Sequence, residues 1–428
     1  MDKKEKIFAA VDIGSTKIVA LAGTKNEDGK IQIIGIGQSA SRGVSRGVVL
    51  NVEETFVAIS DAVGQAERDC GQDIEQVFVN ISGQQLITHT SIQKKTMSRE
   101  HCFTESDVNQ LKEQARQMNL EEGMCIYHIN PELFTVDGEP VVSSPVGTIG
   151  EIIEATYKLH VAPEYYKRNI AKSFERGSIM VQNAILDPIA SAEIVLNDDE
   201  KESGVALVDI GGGATKISIF CEGVLCFTSM VPFGGNVVTR DIKEGCAITA
   251  KQAESLKVQF GQAIAEFASE GKMVTIPIPG GWEPKHISVK GLSQIIQARM
   301  EEIIVGFFYQ IRKSGYVDKL GAGIVITGGT SLLRDLPQLI NYHTGLAVRI
   351  GTPNLNHFVE RKEINDPRFA TVLGLLKMAD AEVGAGRKSR KRRKVKSDEP
   401  GIFKTVQTKL VQGVISFFEE NPADTEMT

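Results

Sequence analysis

The chain has 428 residues, 42% of them apolar and 24% charged, with a net charge of −6. That length supports two or more domains with their own cores, and that composition argues against a disordered chain. The acidic balance taken alone argues against a nucleic-acid binder, but it is uneven: residues 387–396 hold eight basic side chains and no acid, and taking those eight charges from −6 leaves −14 on the remainder.

Residues 1–6 lead into an apolar strand without a signal-peptide core. Residues 7–36 read as three strands, turning at a first glycine site and at residues 26–29. Residues 51–70 have helical spacing, with Val52, Phe56, Ile59 and Val63 on one face, and 77–82 is a short strand. From 83 to 161 come strands at 86–92, 125–136 and 154–161, with one helix opening at Thr104. Asp107 lies three residues on, a capping box with Asp in place of Glu or Gln. The earlier alternation resumes with a helix at 163–176, a strand at 178–186 and a helix at 188–196, so 83–161 reads as an insertion. A polar hinge at 197–204 leads into the second half. There a helix is expected at 250–267, a hairpin around 277–282 and a long helix at 289–314. A strand at 323–327 and a last helix at 367–381 follow. The pattern is an α/β architecture duplicated around a cleft. The six cysteines (Cys70, Cys102, Cys125, Cys221, Cys226, Cys246) show no C-x-x-C pair or metal spacing, which suits a reducing cytoplasm. No run approaches the roughly 18 apolar residues of a membrane span.

The chemistry is concentrated in a repeat. Val11-Asp12-Ile13-Gly14 returns as Val208-Asp209-Ile210-Gly211, and Thr16-Lys17-Ile18 returns as Thr215-Lys216-Ile217. Gly14, Ser15, Thr16 and Lys17 offer clearance, backbone N–H groups, hydroxyls and an ammonium to a polyphosphate. Gly211, Gly212, Gly213, Thr215 and Lys216 offer a second such nest. Asp12 and Asp209, beside these turns, suit the waters of a Mg2+ ion rather than phosphate itself. Neither copy is G-x-x-x-x-G-K-[ST], and neither opens into a helix as a dinucleotide fingerprint does.

The double turn, the connecting Leu186-Asp187-Pro188-Ile189-Ala190-Ser191-Ala192 and the late Thr327-Gly328-Gly329-Thr330 resemble the actin, Hsp70 and sugar-kinase superfamily. That resemblance implies an actin-like ATPase fold binding ATP and Mg2+. It implies that Gly328, Gly329 and Thr330 carry adenosine, that Glu254 and Lys257 flank the nucleoside, that Gly234, Gly235 and Asn236 form a further nucleotide loop, and that Asp187 positions water. Ser41-Arg42-Gly43-Val44, Gly47-Val48-Val49, Ser144-Pro145-Val146-Gly147, Pro232-Phe233-Gly234-Gly235 and Val348-Arg349-Ile350-Gly351 are similar to the FtsA family of bacterial cell-division proteins. Trp282 stands where that family suggests arginine. The implied layout is a first lobe at 1–82 and 162–198, interrupted by the subdomain 83–161. The second lobe is at 199–240 and 323–357, interrupted by a small subdomain at 241–322. A helix at 358–384 packs on the first lobe, followed by a basic linker at 385–400.

Residues 401–420 project as an amphipathic helix, with Ile402, Phe403, Val406, Leu410, Val414, Phe417 and Phe418 on one side. Beside the basic run this is a two-signal design for an anionic inner-membrane surface. A docked terminal helix and a solvated charge run are the plainer readings. The resemblance further implies self-assembly into actin-like filaments, docking of the FtsZ C-terminal peptide near Arg299 and Glu302, recruitment of other divisome proteins at the septum, and no nucleic-acid partner. ATP hydrolysis, if any, would be slow and serve as an assembly switch. A pilus-assembly actin homologue and a small-molecule kinase are the rivals.

Overall fold

The computed structural model describes residues 7–141, 144–277 and 283–392. Trp282, the end of the basic run and all of 401–420, with Ile402, Phe403, Val406, Leu410, Val414, Phe417 and Phe418, lie outside the described residues.

The first lobe begins with β1 (Phe8–Ile13), β2 (Lys17–Lys25), β3 (Ile31–Ala40), a short pair β4 (Val44–Ser45) and β5 (Val48–Val49), α1 (Val52–Cys70) and β6 (Gln76–Ile81). Asn51 caps α1 by accepting the N–H groups of Glu53 and Glu54, and Gly71 ends it in the left-handed region. An insertion follows: β7 (Ile87–Cys102), α2 (Glu105–Arg116), β8 (Met124–Val136), β9 (Glu139–Val141) and β10 (Ile149–Pro163). The chain then returns to the lobe as α3 (Tyr165–Glu175), β11 (Met180–Leu186) and α4 (Asp187–Val195).

A short helix, α5 (Asp198–Ser203), occupies the segment expected to be a hinge. Asn197 and Glu200 cap each other reciprocally and stiffen it. The second lobe comprises β12 (Val205–Ile210), β13 (Thr215–Cys221), β14 (Val224–Val231), α6 (Gly235–Cys246), α7 (Ala250–Phe260), β15 (Met273–Ile276), β16 (Lys285–Ser288), α8 (Val289–Lys313), β17 (Ile324–Thr327), α9 (Leu336–Thr344) and β18 (Val348–Ile350). The helix expected at 250–267 stops at Phe260, because Gly261 turns extended as its C-cap. The closing helix, α10 (Ala370–Arg392), begins after a 3-10 turn at Pro367–Phe369 and runs past the expected end, so the basic run begins inside a helix.

The two lobes repeat one topology. The first sheet has the order β11-β6-β1-β2-β3 and the second β14-β13-β12-β17-β18. In each, an antiparallel three-strand meander (β1–β3 or β12–β14) joins two parallel strands beside its first member. Between the sheets lies a core of Phe8, Val19, Leu21, Phe220, Leu225 and Val325, sealed by α4 and α10. These helices touch backbone to backbone: a Cβ on Gly374 would lie 1.8 Å from the Ala190 carbonyl oxygen, so only glycine permits the approach.

The insertion has its own core, built on Phe103, Leu111, Phe134 and Tyr157. The capping box expected at Thr104 and Asp107 is present, and Lys95 Nζ donates to Asp107 Oδ1 at 2.7 Å. This subdomain also bonds to the second lobe. Buried His160 is neutral, its pKa pushed down to about 3 by burial and by neighbouring His128. Its Nε2–H donates to the Leu225 carbonyl at 3.2 Å, which leaves Nδ1 to accept from the Thr88 hydroxyl at 3.1 Å. Thr88 in turn accepts the Thr228 N–H at 3.2 Å. Because the folded pKa is depressed, the unfolded chain binds protons that the native state refuses as pH falls below the ordinary value of about 6.5. His160 therefore contributes stability that is present above about pH 6.5 and is lost as pH falls toward 3. Amide-exchange protection of β14 is expected to decline over that range, by up to about 1.4 kcal/mol per pH unit. The decline should be shallower in His160→Gln; equal slopes would remove His160 from the explanation.

Candidate functional site

The two glycine turns have the same length, and this decides where their lysines go. In the first, Gly14 N–H donates to Lys17 O at 3.1 Å and Ile13 pairs with Ile18. In the second, Gly211 N–H donates to Ala214 O at 3.0 Å and Ile210 pairs with Thr215. The repeated Thr-Lys-Ile tripeptides are therefore not structural equivalents. Lys17 closes its turn, whereas Lys216 sits two residues further on, in β13 opposite Asp209. The same offset buries Thr215 in the strand, its hydroxyl donating to Phe233 O at 2.8 Å.

The turns face and touch each other. A Cβ on Gly212 would lie 2.1 Å from Thr16 Oγ1, and one on Gly213 would lie 2.8 Å from the Cβ of Ser15. Ser15 Oγ accepts the Gly47 N–H at 2.8 Å. The second turn is braced from behind: Gly211 O accepts the Gly235 N–H at 2.9 Å and the Thr330 hydroxyl at 3.1 Å, and Gly212 O accepts the Asn236 N–H at 2.8 Å. Gly328 adopts φ +84°, and a Cβ there would lie 2.2 Å from Asp209 Oδ1.

Between the turns opens a cleft of about 410 Å3, within the range of small-molecule sites. It brings together Asp12, Gly14, Thr16, Lys17, Asp209, Gly212, Lys216, Asn236, Glu254, Lys257, Gly328, Gly329 and Thr330. Ser15, Gly211, Gly213, Thr215, Gly234 and Gly235 stand behind this lining as packing and bracing groups, and Asp187 lies beneath it. Arg299 and Glu302 are elsewhere, on α8, where Arg299 bridges Asp241 and Glu302.

At the base of the cleft one ammonium serves three acids. Lys216 Nζ bridges Asp187, the first residue of α4, and lies 3.3 Å from Asp209 Oδ2. Burial alone would lower the Lys216 pKa, but Asp187, Asp209 and Asp12 outweigh it and hold it above the ordinary range. Burial, and then the Asp187 charge, push Asp12 up to about 7. Asp187 Oδ1 is buried with no hydrogen-bond partner. Three carboxylates against Lys216, with Lys17 acting more weakly on Asp12 and one oxygen orphaned, form a site short of positive charge. A hydrated dication fits that deficit. Among the described residues no cluster of His, Cys, Asp or Glu is arranged to ligate a metal directly.

Across the cleft, Lys257 Nζ donates to Gly235 O at 3.0 Å and to Thr239 at 2.8 Å, and pairs with Glu254 at 2.8 Å. Sequence reasoning missed Gln38, Arg334, Arg368 and Thr371, which also line the cleft. It also missed Phe369, whose ring lies 4.5 Å from Lys17 Nζ. The resemblance implied that the closing helix packs on the first lobe, but the approach of Phe369 to Lys17 of the first turn has no signal in the sequence.

Residues 206–374 match the model of the cell division protein FtsA, and residues 80–161 match that of the SHS2 domain inserted in FtsA. The cell division protein FtsA of Pseudomonas aeruginosa is 32% identical over 372 residues, spanning 87% of this chain and 88% of that protein. The chain belongs to the FtsA family. The family's Neisseria meningitidis and Escherichia coli K12 members are 32% and 31% identical, each over 381 residues, covering 89% and 87% of this chain and 91% and 90% of theirs. Solved structures show the actin-like fold. The PilM of a PilM–PilN type IV pilus biogenesis complex aligns with a TM-score of 0.61 at 13% identity, over 87% of this chain and 98% of that one. Spiroplasma citri MreB 5 bound to AMPPNP aligns at 0.51 and 13%, over 91% and 100%. The pilus protein's likeness is thus one of fold, whereas the FtsA likeness extends to sequence.

Gly234→Ala tests the bracing. The added methyl would lie 2.4 Å from Gly211 O and 2.8 Å from Gly212 O, both backbone atoms that cannot swing aside. A loss of about 1–3 kcal/mol is expected. Gly64→Ala within α1, which meets only the end of the Arg68 side chain at 3.5 Å, should gain about 0.4–1 kcal/mol. Thermal unfolding of the two variants checks both signs.

Proposed function

We propose that this member of the cell-division family binds ATP with Mg2+ between its two turns and uses the nucleotide to switch assembly on the cytoplasmic face of the membrane. The observation that carries this reading is the contact of Ser15 and Thr16 with Gly212 and Gly213 above a carboxylate cluster short of positive charge. Backbone N–H groups of both turns, with Thr16 and Lys17, would cradle phosphate oxygens. Asp12 and Asp209 would hold the water shell of Mg2+, which when bound neutralises phosphate charge. Gly328, Gly329 and Thr330 would seat the adenosine, with Glu254 and Lys257 beside it. AMPPNP in the similar cleft fold of MreB 5 supports the ligand class.

Asp187 would orient a water through its unpaired Oδ1. Lys216 holds the same carboxylate, so any hydrolysis would be slow. That suits a switch: a nucleotide touching both turns favours the conformation in which the lobes are joined, and only differential affinity can shift such an equilibrium. Self-association into actin-like filaments is part of the same reading, and the double helical filament of MamK, which aligns at a TM-score of 0.50 and 13% identity over 87% of this chain and 98% of that one, supports it.

The division into 1–82 with 162–198, 83–161, 199–240 with 323–357, 241–322, 358–384, 385–400 and 401–420 completes the reading. Residues 401–420 with the basic run would supply a reversible anchor to anionic lipid. Among the described residues no helix is long and apolar enough to cross a membrane. The FtsZ C-terminal peptide would dock at α8, where Glu302 is exposed and Arg299 is half-buried, and later divisome proteins would be recruited to the same filaments.

Vesicle co-sedimentation tests the anchor. With vesicles containing anionic lipid, Phe403→Glu/Phe417→Glu should pellet at least tenfold less than the unaltered chain, while nucleotide binding is unchanged. Equal pelleting would contradict it. In the same assay Glu302→Arg should alter capture of an FtsZ C-terminal peptide without affecting vesicle binding; unchanged capture would remove α8 as the docking site.

A further inference from the structure

A second and larger cavity, of about 670 Å3, lies where the insertion, the first lobe and the second lobe meet. The acidic cluster and the nucleotide reading play no part in it. Its walls come from α2 and β8 of the insertion, β11, α3 and α4 of the first lobe, and the β13–β14 hairpin of the second. The floor is apolar, formed by Ile81, Leu120, Ile126, Ile189, Phe220 and Leu225.

The charged groups around that floor are nearly all of one sign. Lys112, Arg116, Lys167 and Lys201 line it against the single acid Glu193, and Glu193 already serves both Lys377 at 2.8 Å and Lys201 at 3.9 Å. Lys112 and Arg116 are one turn apart on α2 and both half-buried. Like charges at that spacing repel. Arg116 holds Glu113 at 3.3 Å, whereas Lys112 has no ion pair among the described residues. Burial, and then the Arg116 charge, lower its pKa. The acidic body of the chain makes this excess of cations a local departure from its surroundings.

One further polar atom lies in the same wall without a partner. Asn130 is nine-tenths buried and its Nδ2 donates to Leu225 O at 3.3 Å, which fixes the orientation of the amide. Its Oδ1 is buried and accepts nothing. A native protein rarely leaves such an acceptor empty. A ligand here would carry an anionic head for the cations, an apolar body for the floor, and an N–H or O–H for Asn130.

We propose that this three-way junction binds an amphipathic organic anion bearing a hydrogen-bond donor, of the N-acyl amino acid type. Lys112 and Arg116 would receive the carboxylate and Asn130 Oδ1 the donor. Such a ligand would bridge the insertion and the β13–β14 hairpin, and so bear on how the two lobes sit about their cleft.

Isothermal titration of the full chain with N-octanoylglycine, well below its micelle concentration, tests this. Saturable one-to-one binding is expected, at least tenfold weaker in Lys112→Gln/Arg116→Gln, and weakened as far in Met124→Trp, which fills the cavity without altering its charge. The Gln variant should unfold close to the parent's temperature, since the repulsion it relieves offsets the partly exposed Arg116–Glu113 pair it loses, so lost binding would not reflect lost folding. Decanoate, which has no N–H, should bind several-fold more weakly. Decyltrimethylammonium should not bind there. Equal affinity in parent and Gln variant, or equal binding of the cationic amphiphile, would overturn the proposal, and equal affinity for decanoate would remove Asn130 from it.

Discussion

The architecture turns on one ammonium. Lys216 comes from the second lobe, and the acids around it come from three places: Asp12 at the end of β1, Asp187 at the start of α4, and Asp209 at the end of β12. Removing one partner of a buried ion cluster typically costs about 3–5 kcal/mol, because the charge left behind is uncompensated. The lobes are thus held in register at the point where a phosphate chain would enter. The same cluster is under-neutralised, with Asp12 pushed up to about 7 and Asp187 Oδ1 unpaired. A cofactor bringing two positive charges would complete a set that the protein alone leaves unfinished.

The two lobes repeat one topology, with their Thr-Lys-Ile strings offset by two residues. Both halves keep the Asp-Ile-Gly turn and the same strand order, and the repeat was legible in the sequence because the glycine turn and its apolar flanks are local features. The offset of the lysines was not legible. Thr16-Lys17-Ile18 and Thr215-Lys216-Ile217 look equivalent as strings, but hydrogen-bonded turn length fixes their positions. One lysine closes a turn against Phe369, and the other reaches the acids. Asp187, Glu254, Lys257 and the late glycines were found through family resemblance, while Arg368 and Gln38 needed the fold, since they reach the cleft from segments with no phosphate-binding pattern of their own.

Secondary structure was legible where caps and periodicity agreed, as in α1 with Asn51 and α2 with Thr104 and Asp107. It was misread where a polar string suggested a hinge. Residues 197–204 contain Asn197 and Glu200 at capping distance, and the pair makes a helix of a segment too polar to show an apolar face. The opposite error occurred at 250–267, where apolar spacing continued beyond Gly261 although the helix did not. Tertiary contacts between segments distant in sequence, such as His160 with Leu225 and Gly374 with Ala190, leave no local trace. They nonetheless join the insertion to the second lobe and α10 to α4.

On the proposed function, the acid cluster would receive a divalent cation together with a nucleotide. The direct measurement is calorimetric titration of ATP into the full chain with Mg2+ and with EDTA in its place. At least tenfold tighter binding is expected with Mg2+, and a much smaller difference in Asp12→Asn/Asp209→Asn. Equal ATP affinity in Mg2+ and in EDTA would contradict it.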